Sequence, residues 1–199
     1  MKLKRYETPA AEMCEGNGHI SVMNGVNDLR HKFGLGIVDV RIISPGYGLL
    51  DEESLIVPYN YDFKGGDPEI RYRGMKLRIR EKIERILPSY DLVFFLLGKK
   101  YVTACRLPFR VPNPVSQIFL APPSWKNTIL DRSPNANVVV TDWNELKTEF
   151  PGTAPRYLKE AVFERLCRVA RDQGLPLFET VKENPKQIIE KVLECNRRR

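Results

Sequence analysis

The chain has 199 residues, of which 42% are hydrophobic and 29% are charged, and 32 Lys and Arg against 25 Asp and Glu give a formal net charge of +7. This length and apolar content suffice for a packed core, which excludes a disordered chain and a collagen-like repeat. No apolar run approaches the roughly 18 residues of a membrane span, and the basic N-terminus lacks the apolar segment of a secretory signal, so we expect a cytoplasmic protein.

The first half of the chain alternates between helical and extended patterns. Apolar residues at intervals of three and four predict a helix over residues 20–33. An alternating segment predicts a strand over 38–44, and a second amphipathic pattern predicts a helix over 75–87 that Pro88 stops. The continuous apolar run at 91–97 is typical of a strand buried on both faces.

The second half continues the alternation. Short strands are predicted at 116–120 and 137–140, and helices at 154–173 and 185–196. Helices that alternate with strands indicate an α/β fold with a small, mainly parallel sheet flanked by helices. We therefore predict an α/β nucleic-acid-processing core over residues 1–150 and a C-terminal helical extension over 151–199 that packs on the same domain.

The spacing of the cysteines argues against a metal site. Cys14, Cys105, Cys167 and Cys195 form no closely spaced pair, and the chain has only two histidines. Structural zinc sites need such pairs, so we expect neither a metal nor an organic cofactor.

The positive charge is concentrated in two places. Residues 71–85 are rich in Arg and Lys, and the chain ends on three arginines at 197–199. Clusters of this kind attract polyanions, nucleic acids above all, although a single basic helix face can also be merely solvated. Two clusters together favour DNA as the partner, with no role for a membrane.

Three loops follow predicted strands that end near residues 44, 97 and 120. In a parallel sheet the carboxyl ends of the strands meet at one edge, so we expect these loops to converge there. The loops carry Ser44, Tyr47, Tyr59, Asn60, Lys99, Tyr101 and Ser124. Aromatic faces beside basic and carboxylate groups are typical of a site that binds a nucleobase.

A resemblance to known proteins rests on the segment 42–50 and on Pro58 and Tyr59. Ser44, then Tyr47-Gly48-Leu49, then Pro-Tyr follow a strand at the spacing of the signature loop in the YaaA-like proteins and their shorter relatives. Residues 8–13 and 90–101 resemble further motifs of the shorter relatives, so the match covers residues 8–130.

The resemblance implies a fold and an activity. YaaA-like proteins are associated with DNA binding and oxidative-damage protection, and the shorter relatives are similar to uracil-DNA-glycosylase-like domains. The chain also resembles small anti-phage DNA glycosylases that act on glucosylated hydroxymethylcytosine. The relatives place an acidic residue directly after Pro-Tyr, where this chain has Asn60, so either Asn60 or Asp62 takes that position.

Cleavage of a base–sugar bond requires a carboxylate near the sugar, which becomes cationic, and hydrogen-bond donors near the departing base. Asp62, Asp51 and Glu12 are the candidate catalytic carboxylates, and Ser44, Tyr47, Tyr59 and Asn60 are the candidate base-binding residues. The candidate DNA-binding residues are Arg71, Arg73, Lys99, Lys100, Tyr101 and Ser124.

The sequence thus predicts a DNA N-glycosylase that excises a modified base, for example a hypermodified phage cytosine, in anti-phage defence or the DNA damage response. Two alternatives stay open at this point. One is a non-catalytic DNA-binding stress-protection protein of the YaaA type. The other is an enzyme on free nucleotides, such as a nucleoside hydrolase or a deoxyribosyltransferase.

Overall fold

A computed structural model describes residues 4–111, 115–134 and 136–194; the basic cluster at 197–199 and the last two residues of the helix predicted over 185–196 lie outside these ranges. The strands are β1 (Thr8–Pro9), β2 (Arg41–Ser44), β3 (Gly48–Asp51), β4 (Leu55–Ile56), β5 (Leu92–Phe95), β6 (Ser116–Ala121) and β7 (Asn137–Val140). The α-helices are α1 (Ala10–Met13), α2 (Asn17–Phe33), α3 (Asp67–Lys76), α4 (Ile79–Ile86), α5 (Lys99–Cys105), α6 (Pro123–Leu130), α7 (Trp143–Leu146), α8 (Leu158–Gln173), α9 (Pro176–Glu183) and α10 (Gln187–Glu194). No helix in these ranges has the length and apolar character that a membrane crossing requires.

The described residues pack as two compact units, each assembled from separated stretches of the chain. The first unit takes residues 4–15, 39–90, 98–111 and 115, and the second takes 16–38, 91–97 and the described residues from 116 onward. This division interleaves along the chain, whereas the division predicted from the sequence runs consecutively as 1–150 and 151–199.

The second unit contains the predicted parallel sheet. Its strand order is β5-β6-β7, with both pairs parallel, so a small parallel sheet flanked by helices is confirmed. Aromatic packing holds the sheet together: the rings of Phe95 and Phe119 on neighbouring strands stack with centroids 4.5 Å apart. Phe94 meets Phe163 of α8 edge to face at 5.3 Å, which joins the sheet to the longest helix of the C-terminal segment.

The first predicted strand does not belong to this sheet, and that part of the prediction is wrong. β2 pairs antiparallel with β3, with Ser44 opposite Gly48 at the turn and Arg41 opposite Asp51 at the open end. The chain reverses directly through Pro45 and Gly46 because Gly48 adopts a φ of +86°, which glycine tolerates. A tight hairpin therefore replaces the expected crossover to a parallel neighbour.

The single helix predicted over 75–87 is also wrong, because two helices occupy this region. α3 begins at Asp67, with Pro68 in its first turn, and the chain breaks at Arg78, whose φ is +53°, before α4 begins. The apolar periodicity correctly identified Ile79 and Ile83 as buried, but periodicity does not detect a change of helix direction. The break lets α3 pack on α5 while α4 packs on β3.

Gly74 provides a test of the packing of α3 on α5. A Cβ atom at this position would overlap the backbone carbonyl of Ala104. Because backbone cannot move aside as a side chain can, we expect Gly74→Ala to lower the free energy of unfolding by about 3 kcal/mol, although alanine favours helix. Urea unfolding monitored by circular dichroism measures this change.

The matched control is Gly36→Ala. An added Cβ at Gly36 meets no heavy atom within 4 Å, and its φ is not positive. We expect this variant to change the free energy of unfolding by less than about 0.5 kcal/mol. Equal losses in the two variants would show that α3 does not approach α5 this closely.

Candidate functional site

The turn between β2 and β3 is organised by the hydroxyl of Ser44, a buried side chain. Its Oγ accepts hydrogen bonds from the backbone N–H groups of Gly46 (3.2 Å) and Tyr47 (3.1 Å). It also donates to the hydroxyl of Tyr59 at 2.7 Å. All the hydrogen-bonding capacity of this hydroxyl is used within the protein, so the geometry favours a positioning role for Ser44 rather than direct contact with a base.

Two tyrosines are involved here: Tyr47 lies in the turn, and Tyr59 packs beside it. Their rings meet edge to face with centroids 5.3 Å apart, and the Tyr47 hydroxyl donates to the carbonyl of Val57 at 3.2 Å. Tyr59 is 38% exposed, whereas Tyr47 is partly buried. Because the Tyr59 hydroxyl accepts from Ser44 and has no acceptor among the described residues, its own hydrogen is available to a ligand.

Arg73 braces the same turn from α3. Its Nε donates to the carbonyl of Pro45 at 3.0 Å and its Nη2 to the carbonyl of Gly46 at 3.3 Å. The guanidinium also covers the ring of Tyr61, with 4.8 Å between Cζ and the ring centroid. The sequence predicts Arg73 to be a phosphate contact, but here its donors hold the loop.

Asp62 lies three residues after Tyr59. Of the three candidate catalytic carboxylates, it is the one that contacts the tyrosine-bearing loop and α5. Its Oδ2 lies 2.9 Å from Nζ of Lys100, and its Oδ1 accepts from the backbone N–H of Phe63 at 2.7 Å. The hydrogen bond from Lys100 is the largest influence that holds the pKa of Asp62 below its ordinary value. The side chain is 58% exposed, so an ionised oxygen is open to a ligand.

Tyr101 completes the cluster. Its ring meets the buried ring of Phe63 edge to face at 5.2 Å. Burial is the main cause that raises the pKa of Tyr101, and the nearby Asp62, Tyr59 and Cys14 raise it further. The phenol therefore stays protonated at neutral pH. We call the group Ser44, Tyr47, Tyr59, Asp62, Lys100 and Tyr101 the tyrosine–aspartate cluster.

The structure brings the first two predicted loops together but not for the predicted reason. The loop after β2 and the start of α5 meet through the ion pair of Asp62 and Lys100, although β2 lies outside the parallel sheet. Ser124, from the third predicted loop, is exposed in the first turn of α6 and belongs to the second unit. The expectation that all three loops meet at one edge of the parallel sheet is therefore wrong, because β2 is not a strand of that sheet.

The two other carboxylates occupy different surroundings. Asp51 pairs with Arg41, with 3.0 Å between Oδ1 and Nε, at the open end of the hairpin, three residue steps or about 10 Å along the strands from Ser44. It lines an open depression of about 190 Å³ that also contains Lys82 and Arg85. Glu12 is exposed on α1. Neither has a contact with the tyrosine–aspartate cluster among the described side chains.

Three further predicted residues are exposed in the first unit: Asn60 in the loop, Arg71 on α3 and Lys99 at the start of α5. Arg71 and Lys99 form no ion pair in the described part of the chain, so their charges are free for an anion. These two cations, unlike Arg73, have the exposure that a phosphate contact needs.

Tyr61 and Phe63 are two residues of this site that the sequence did not predict. The signal that could have found them is the alternation of aromatic residues at 59, 61 and 63 with polar Asn60 and Asp62. Phe63 is buried, and Tyr61 is exposed and contacts Arg73.

No group of three or more His, Cys, Asp or Glu side chains in the described ranges is arranged to hold a metal ion. Cys105 is buried, and burial raises the pKa of its thiol to about 12. The thiol is therefore protonated at neutral pH and packs as a small apolar side chain.

Gly46 offers a test of how the turn positions Tyr59. A Cβ atom on Gly46 would lie 3.0 Å from two ring carbons of Tyr59, closer than van der Waals contact allows. We expect Gly46→Ala to displace this ring and weaken its bond to Ser44, because a side chain yields where backbone does not. The tyrosine ring resonances in an NMR spectrum report the change.

In that spectrum the resonances of Tyr47 and Tyr59 should move, while those of Tyr157 in the second unit stay in place. Assignment uses the variant Tyr59→Phe, which lacks the Tyr59 signals. Unchanged resonances of both tyrosines in Gly46→Ala would contradict the packing of Tyr59 on the turn.

Comparison with known proteins adds no relative to this description: no family model matches the chain, and no curated protein or solved structure shows a significant match.

Proposed function

We propose that this chain is a DNA N-glycosylase that excises a modified base and leaves an abasic site. The observation that carries the proposal is the exposed, ionised carboxylate of Asp62, which is held by Lys100 near Tyr101, a residue that Tyr59 also approaches. An anion next to aromatic faces and donors is the combination that cleavage of a base–sugar bond requires.

We also infer that the chain is related to the YaaA-like proteins and that its second unit has a uracil-DNA-glycosylase-like fold. The loop motif from Ser44 to Leu50 with Pro58 and Tyr59 supports a relationship to the YaaA-like proteins. The parallel order of β5-β6-β7 and the Pro122–Ser124 segment after β6 support a uracil-DNA-glycosylase-like arrangement of the second unit. A hypermodified phage cytosine is the base that the family resemblance implies.

Cleavage of the base–sugar bond develops positive charge on the sugar and negative charge on the base. The bond from C1′ of the deoxyribose to the base nitrogen breaks, the electron pair leaves with the base, and the sugar becomes cationic. Asp62 stabilises that cation because its carboxylate is already ionised. Water then adds its oxygen to C1′ and loses one proton, while the base takes up one proton, so the net reaction consumes one water molecule.

Tyr59 serves the departing base. Its hydroxyl accepts from Ser44 and has no acceptor among the described residues, so its own hydrogen is available to the base. A donor aimed at developing negative charge on the base lowers the barrier for its departure. The exposed ring also provides the face on which a base that has left the stack can pack, while Tyr47 supports Tyr59 from its edge.

Exposed cations of the first unit supply the attraction to DNA. Arg71 and Lys99 have no ion-pair partner among the described side chains, and phosphate contacts carry most of the affinity for nucleic acid. The same observation favours the second candidate function, a non-catalytic DNA-binding protein. Product analysis separates the two.

Asp62→Asn tests the reaction. The purified protein is incubated with normal, uracil-containing and hypermodified phage DNA, and abasic sites are revealed by alkaline cleavage. On the DNA that the wild type cleaves, we expect the variant to lose about 100-fold or more in rate, since the amide cannot stabilise the sugar cation. DNA affinity should remain nearly unchanged.

Asp51→Asn is the matched control, because it removes an exposed carboxylate of the same unit that lies away from the cluster. We expect its cleavage rate to equal that of the wild type. If Asp51→Asn loses the activity and Asp62→Asn keeps it, the catalytic carboxylate lies in the depression near Arg41. If the wild type binds DNA and makes no abasic site on any of the three DNAs, the protein is a binding protein.

A pair of tyrosine variants tests the donor. Tyr59→Phe keeps the ring and removes the hydroxyl, so we expect a rate loss of about 100-fold with binding retained. Tyr47→Phe removes only the bond to Val57, so we expect a loss of about 1 kcal/mol in the free energy of unfolding and an unchanged rate per folded molecule. Equal rates in the two variants would contradict a donor role for Tyr59.

A further inference from the structure

The outer face of α3 combines exposed apolar and aromatic side chains with cations. Ile70 and Gly74 are buried on one side of the helix, which leaves Arg71, Tyr72, Met75 and Lys76 toward solvent. Tyr72 is 56% exposed and Met75 is 47% exposed. Exposed aromatic and apolar side chains that adjoin on one helix face and are flanked by cations are typical of a binding surface.

One cation of this face lies over its ring, and a second cation–ring pair adjoins it. Nζ of Lys76 lies 5.1 Å from the ring centroid of Tyr72, four residues back along the helix. Arg73, the neighbour of Tyr72, covers the ring of Tyr61, which is 45% exposed and precedes Asp62. The acidic residues of α3, Asp67 and Glu69, lie at the opposite end of the helix from Lys76.

We propose that the α3 face, consisting of Arg71, Tyr72, Met75 and Lys76, binds single-stranded nucleic acid that flanks the target base. The proposal rests on the proposed function, because Arg73, the neighbour of Tyr72 on α3, contacts Tyr61 in the loop that carries Asp62. It names the substrate class: a single strand or a locally opened duplex.

The combination of residues selects the single strand. In a duplex the bases stack on one another and expose only phosphates and groove edges, so exposed rings find no partner. Unpaired bases pack on aromatic side chains regardless of their identity, while cations follow the phosphates. An acidic protein partner would engage the cations of the face and leave the exposed ring of Tyr72 without a role.

The experiment compares single-stranded and double-stranded probes. Fluorescein-labelled oligothymidine of about 12 nucleotides, alone or paired with its complement, is titrated with the full chain at fixed salt and followed by anisotropy. We expect Tyr72→Ala to weaken binding of the single strand by about 10-fold, the equivalent of one lost stacking contact, and to leave duplex binding within about 2-fold. Tyr72→Phe should bind the single strand as the wild type does.

Tyr6→Ala is the matched control. Tyr6 belongs to the same unit and is 48% exposed, and Cζ of Arg5 lies 4.8 Å from its ring centroid. It therefore matches Tyr72 in exposure and in its cation contact, but it is not on α3. We expect it to bind both probes normally. Equal losses in Tyr6→Ala and Tyr72→Ala, or equal losses on both probes in Tyr72→Ala, would overturn the proposal.

The outcome is separable from that of the glycosylase proposal. If the wild type prefers the single strand through Tyr72 and forms no abasic sites, the α3 face binds nucleic acid and the proposed reaction is wrong. If abasic sites form and Tyr72→Ala binds the single strand normally, the reaction stands and the proposed surface is wrong. Circular dichroism verifies that each variant is folded, as expected for an exposed position.

Discussion

The hydroxyl of Ser44 is the point on which the candidate site depends. A single buried oxygen receives two backbone N–H groups of the turn and gives its hydrogen to Tyr59, so one atom fixes both the loop and a phenol. Arg73 secures the carbonyls of the same turn from α3. The turn is therefore hydrogen-bonded by both Ser44 and Arg73. Through its bond to Tyr59, Ser44 also fixes the segment that continues to Tyr61 and Asp62.

Charge is distributed unequally between the carboxylates and the cations of the first unit. Asp62 is paired with a lysine that stabilises its ionised form and leaves an oxygen exposed, whereas Asp51 neutralises Arg41 at the open end of the hairpin. Arg71 and Lys99 remain exposed. For the proposed DNA substrate, the exposed cations favour the polyanion, and the ionised carboxylate favours the sugar, which becomes cationic during the proposed reaction.

The break between α3 and α4 determines which residues face solvent. At Arg78 the backbone leaves the right-handed helical conformation, which ends α3. Gly74 of α3 packs directly on the backbone of α5. This contact orients Arg73 toward the turn and leaves Tyr72 and Met75 outside. The side of α3 that carries Gly74 packs on α5, so the binding face proposed on the opposite side is a consequence of helix packing.

The sequence by itself determined the local features: the amphipathic pattern of α2, the strands β5, β6 and β7, and the aromatic and acidic content of the loop after Ser44. These depend on periodicity and turn chemistry within a few residues. Only the tertiary structure decided that β2 returns antiparallel to β3, that the chain breaks at Arg78, and that Lys100, not a closer neighbour, pairs with Asp62. Strand partners, helix breaks and ion pairs depend on contacts between residues that are distant in the chain, and their free energies do not appear in local patterns. Arg73 shows the difference most clearly: its charge is evident from the sequence, but its three contacts, with Pro45, Gly46 and Tyr61, follow only from the packing of α3.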